Sequence, residues 1–138
     1  MRVRIAAVVL SGVLCCGPAC AQNDGLEGAW ATDAGACAKI FVWKKGKVSV
    51  ASKSDAYGSG LIIEGDRVRG KLADCRIERR KRDGNLMTFV AVCSTDIALS
   101  TLQFSLRIDD DSHITRFFPG MEGMEVAYSR CSFPDQSN

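Results

Sequence analysis

The clearest pattern in the chain runs from Ser100 to Ile108. Leu102, Phe104, Leu106 and Ile108 alternate strictly with Thr101, Gln103, Ser105 and Arg107. A period of two marks a strand with one face against a core and the other against water. Its neighbour in sequence, Leu86 to Cys93, is apolar on both faces and β-branched, which predicts a central strand. Further strands are expected at Leu26–Thr32, Ile40–Trp43, Val48–Ala51, Tyr57–Ile63, His113–Phe118 and Met124–Cys131. Asp66 to Ile77 reads as one more, with its apolar face switching between Leu72 and Cys75, as a bulge or break near Ala73-Asp74 would allow.

Turn signals separate these runs at Lys45-Gly46, Gly65-Asp66, Asp83-Gly84, Asp109 to Ser112 and Pro119-Gly120. Thr95 to Leu99 is the one place where a Thr cap suggests a single helical turn, and no long amphipathic helix is legible. Eight or nine short strands at even spacing predict an all-β fold, a small antiparallel β-barrel or closed sandwich, since closure removes exposed edges. Abundant Val and Ile and six Phe suit a core filled by side chains. Recognition is therefore expected at the outer surface or the barrel ends rather than in a central cavity.

The N-terminus changes the domain picture. Met1-Arg2-Val3-Arg4 precedes an apolar run from Ile5 to Leu14, and the small residues Ala19-Cys20-Ala21 follow. Charge, a short greasy stretch and an Ala-x-Ala exit make a secretory signal peptide over residues 1–21. Lipidation at Cys20 is the alternative, but Gly17-Pro18-Ala19 lacks the large aliphatic residue expected upstream. Cleavage leaves one domain of about 117 residues, 22–138. Arg2 and Arg4 leave with the signal, and the 18 basic residues against 16 acidic become balanced. No global field then steers the chain toward nucleic acid, and no segment is long enough to span a membrane.

The cysteines sort in the same way. Cys15, Cys16 and Cys20 depart with the signal, and Cys37, Cys75, Cys93 and Cys131 remain. An even count in an oxidising periplasmic or secreted setting predicts two disulfides, with three pairings open. Cys75 and Cys93 lie equally far from Gly84, so a hairpin turning there sets them opposite each other. Cys37 with Cys131 follows by elimination.

Gly28-Ala29-Trp30 opens the first strand and Arg130 closes the last. This resembles the G-x-W signature of calycin-type barrels, in which a Trp on the first strand packs beneath an Arg from the far end. Leu26 to Trp30, followed by Cys37, is similar in particular to the opening of bacterial metalloprotease inhibitors. That resemblance implies a small periplasmic barrel whose N-terminal segment, here Gln22 to Glu27, plugs a protease. Cys93-Ser94-Thr95-Asp96 and Phe104 to Arg116 resemble small uncharacterised periplasmic proteins of proteobacteria, which imply a location but no activity. The plain alternative for Trp30 is an ordinary core aromatic.

Local chemistry is sparse. Arg76, Arg79, Arg80, Lys81 and Arg82 form a basic run near the Asp83-Gly84 turn. Simple alternation sends Arg76, Arg80 and Arg82 one way and Arg79 and Lys81 the other. Such a tip suits an anionic envelope component or an acidic protein face, while a charged edge strand is the plainer reading. The run lacks the aromatics that stack nucleobases. Asp109-Asp110-Asp111-Ser112-His113 invites a calcium reading, but it lacks the Gly and the distal acid of a helix-loop-helix calcium loop. It reads as a turn. His113, the only histidine, has no nucleophile motif near it, and Ser112 and Ser94 are the serines a hydrolase reading would use. No metal-ligand or cofactor fingerprint is legible. The expected function is a non-enzymatic binding module, with a protease-inhibitor-like protein and a small hydrolase as alternatives.

Overall fold

The computed structural model describes residues 24–133. The expected signal peptide, together with Gln22, Asn23 and the tail from Pro134, lies outside the described residues. Ten strands form among the described residues: β1 (Gly28–Ala31), β2 (Phe41–Lys44), β3 (Lys47–Val50), β4 (Gly60–Glu64) and β5 (Arg67–Arg69), then β6 (Asp74–Asp83), β7 (Leu86–Ser94), β8 (Leu99–Asp110), β9 (His113–Phe117) and β10 (Glu125–Arg130). Eight of them close into an antiparallel barrel in the order β1-β10-β9-β8-β7-β6-β5-β4, with β1 hydrogen-bonded to both β4 and β10. The expected closed all-β architecture is thus the observed one.

The barrel wall follows the alternation. β7 is the clearest case, with Met87, Phe89, Ala91 and Cys93 buried inside and the residues between them half-buried outside. Trp30, Ile63, Leu106, Ile114 and Tyr128 join them in one inner core. A second apolar cluster lies outside the wall. There a one-turn helix, α1 (Cys37–Ile40), and the β2–β3 hairpin cover the outward-facing Ala29, Ala31 and Ile62. Gly60 lets this layer approach, because a Cβ there would stand 2.5 Å from the Phe41 ring and 2.6 Å from Ile40. Both expected disulfides are present, Cys75–Cys93 across β6 and β7 and Cys37–Cys131 from α1 to the residue after β10.

Several local expectations are corrected. Asp66 to Ile77 is not one strand. It is the β5–β6 hairpin, turning at Gly70–Ala73, where the Gly70 amide donates to the Ala73 carbonyl. Thr95 caps no helix; its hydroxyl accepts the Ala98 amide and closes an irregular turn. The basic run does not alternate simply either. The register of β6 against β7 shifts between Ile77 and Arg79, leaving Glu78 as a bulge. Beyond the bulge Arg80 faces Phe89 and Arg82 faces Met87, both on the inner row, while Arg76, Arg79 and Lys81 stand outside opposite Val92, Val90 and Thr88. A bulge adds one residue to one strand and so exchanges the faces of everything after it.

An up-and-down barrel puts alternate connections at opposite ends. At one end lie the tight turns Gly65-Asp66, Gly84-Asn85 and Asp111-Ser112. At the other lie the longer links β5–β6, β7–β8 and β9–β10 and the whole excursion between β1 and β4. Leu72, Ile97, Leu99, Met121 and Met124 are all exposed on this second end.

Candidate binding site at the open end of the barrel

The tight-turn end is shut. Trp30 is wholly buried and its indole N–H donates to the Leu26 carbonyl at 2.9 Å. The Arg130 guanidinium lies 4.1 Å from the Trp30 ring, donates to the carbonyls of Gly25 and Glu27, and reaches the Asp111 carbonyl at 2.8 Å. One guanidinium therefore stacks on the indole and ties the N-terminal segment to the β8–β9 turn. Arg80 works beside it, pairing with Asp24 at 2.8 Å and donating to the Gly65 carbonyl. The expected packing of Trp30 and Arg130 is thus realised, and Arg80 leaves the basic patch to become part of the closure.

These contacts bear on the N-terminal segment expected to plug a protease. Its described part, Asp24 to Glu27, is held against its own barrel, with Leu26 buried in the core and the Glu27 carboxylate accepting the Gly65 amide. Of the basic run, Arg82 bonds the carbonyl of Gly84 and Arg76 lies 4.0 Å from Glu78. Arg79 and Lys81 have no ion-pair partner among the described residues.

The turn end also settles the aspartates. Asp109 accepts from Thr115 at 2.6 Å and from Arg107 at 2.8 Å, and both hold its carboxyl below the usual carboxylate range. Asp110 is lowered likewise by the Ser112 amide and by the His113 ring, 2.9 Å away. They serve a hairpin turn, as expected. His113 and Ser112 share that turn, whereas Ser94 ends β7 at the opposite end of the barrel and donates to the Asp74 carbonyl. His113 and Ser94 are not brought together.

The other end is open, and the core there is not filled. A cavity of about 270 Å³ sinks into the barrel among Leu61, Ile63, Val68, Cys75, Phe104 and Leu106, with Leu102 at its mouth. The expectation of a filled core fails here because most of the phenylalanines lie outside the inner core. Of the six Phe, only Phe89 and Phe104 belong to the inner core, while Phe41 and Phe133 pack outside with Trp43. Leu102 continues the inward row of β8 but is 46% exposed, since it stands where the barrel opens.

One charged side chain lines this cavity. Arg116 pairs with Leu106 and Val126 across the sheet, so it faces inward in an otherwise apolar row. It had no place among the expected site residues. The signal was available: Ile114, Arg116 and Phe118 share one face by alternation, and the middle one breaks the apolar rule. A second, external groove runs past Ser49, Arg69, Lys71 and Asp74, but its cations are already paired, Arg69 with Glu64 and Lys71 with Asp55. Compared with known proteins, the chain matches no protein-family model, no curated protein and no solved structure.

Proposed function

We propose that this chain is an exported, non-enzymatic binding module of the calycin kind, periplasmic or secreted, that takes one small apolar ligand into the open end of its barrel. The observation that carries this reading is the 270 Å³ cavity, walled by Leu61, Ile63, Val68 and Leu106 and opening among exposed apolar loops. Concave, largely apolar pockets with few polar groups are where small molecules bind, and this one lies just under the ~300–1,000 Å³ of drug-sized sites. Export is supported by the form of the N-terminus and by two disulfides, which persist in oxidising compartments. Among the described residues no helix is long and apolar enough to cross a membrane.

The neutral fluorophore N-phenyl-1-naphthylamine tests the reading. It should brighten on binding the wild type, and Val68→Phe, which fills the cup from β5, should weaken it at least tenfold with the circular dichroism unchanged. Absence of binding to the wild type, or equal binding to the folded variant, would remove the cup as a site.

A further inference from the structure

We propose that the ligand of the cup is an amphiphile with an anionic headgroup, and that Arg116 binds that headgroup. The inference rests on the cup being a binding site and adds what it recognises. Besides Arg82, which donates to the Gly84 carbonyl at the turn, three arginines stand on the inner rows of this barrel, and they differ in what they hold. Arg80 has Asp24 and the Gly65 carbonyl, and Arg130 has three carbonyls and an indole face. Arg116 has only rings: its guanidinium lies 5.6 Å from the Phe104 ring and 4.7 Å from that of Phe118. Its Nε is buried without a hydrogen-bond partner, and its side chain makes no ion pair with any described residue.

A guanidinium is always charged and carries five donors. Arg116 is half-buried, and leaving its buried Nε–H without a partner is costly, while a row occupied by Leu106, Val126 and Ile114 gains nothing in packing from a charge. An anion seated against Arg116 supplies what the fold omits, as two parallel charge-assisted hydrogen bonds in a fork that suits carboxylate or phosphate. None of the described residues lining the cavity is acidic, so nothing competes for the guanidinium. The Tyr128 hydroxyl, on the same wall, also lacks a partner among the described residues.

Geometry sets the pose. Arg116 is level with Leu106 across the sheet and below Leu102, which stands at the mouth, so the headgroup sits on the β9 wall and the tail lies against the apolar residues lining the cup. At about 30 Å³ per water-sized group, 270 Å³ holds roughly nine such groups. Headgroup and tail together therefore amount to about nine such groups, so the tail is short.

The test compares octanoate, octyl phosphate and 1-octanol as competitors of the neutral fluorophore. One charge-assisted contact should make an anionic probe roughly ten- to hundredfold tighter than octanol. Arg116→Gln should bring the anions to the level of octanol measured in the same variant, with circular dichroism showing that the variant folds. Whichever anion binds tighter identifies carboxylate or phosphate as the natural headgroup. If octanol binds the wild type as tightly as both anions, or if Arg116→Gln leaves their advantage intact, the headgroup assignment is wrong while the cup remains. If the fluorophore itself does not bind, the cup reading fails first.

Discussion

Gly28 shows how one residue carries the closed end of the barrel. Its φ of +126° is a conformation that side-chain-bearing residues rarely adopt, and a Cβ there would stand 3.1 Å from the Arg130 guanidinium. The glycine of the G-x-W segment is thus required twice, by the backbone and by the arginine that crosses it. Gly28→Ala should lower stability by about 1–3 kcal/mol, read as a fall of several degrees in the thermal midpoint. An unchanged midpoint would mean that Arg130 can leave the indole at no cost. Trp30 and Arg130 were legible only through the resemblance of Gly28-Ala29-Trp30 to the calycin signature, which implies an arginine from the far end over the indole. Arg116 carries only a weak mark, the alternation that sets it between Ile114 and Phe118, and that mark is hidden in the polar-looking stretch His113-Ile114-Thr115-Arg116 until its register with Leu106 is known.

Among the elements, the β8–β9 hairpin has a distinct acid response. The Asp109 carboxyl is held down by Thr115 and Arg107, and that of Asp110 by the Ser112 amide and His113. Both folded-state values lie below those of the unfolded chain. Their contribution is thus complete above the ordinary carboxylate value near 4 and is lost as pH falls through the lower folded values. Melting curves between pH 6 and pH 2 should show this loss, and Asp109→Asn combined with Asp110→Asn should flatten it. Persistence of the full acid slope in the double variant would place the sensitivity elsewhere. The β6–β7 hairpin was legible for a subtler reason. Cys75 and Cys93 are direct partners because two departures from the simple picture offset each other. The turn is centred between Gly84 and Asn85 rather than on Gly84, and the bulge at Glu78 absorbs the extra residue. The faces of Arg80 and Arg82 were not legible, because nothing in a run of charges marks where a bulge falls.

At the scale of the whole molecule, closure depends on pairing the first barrel strand with the last. The Cys37–Cys131 bond braces that seam across 94 residues, while Cys75–Cys93 spans 18 within one hairpin. Loop-entropy models give about 4–5 kcal/mol for the longer bridge and about 3 for the shorter. Replacing Cys37 and Cys131 by Ala should therefore lower the denaturation midpoint more than replacing Cys75 and Cys93. The reverse order would show that burial of the second bridge in the inner core outweighs the length of the first. Closure itself was readable from strand count and spacing. The cavity was not, because it depends on how many large side chains happen to point inward at one end.

The unlike ends of the barrel also divide labour between inheritance and change. Tight turns at the shut end fix strand register, so residues there have little latitude. The connections around the mouth are longer, and doubling such a loop costs only about 0.6 kcal/mol in closure entropy. The fold can thus keep its frame while its mouth is rewritten, and a library randomised at Gly70–Ala73, Thr95–Ala98 and Phe118–Met124 should, on the proposed binding role, change which ligands enter while the barrel stays folded.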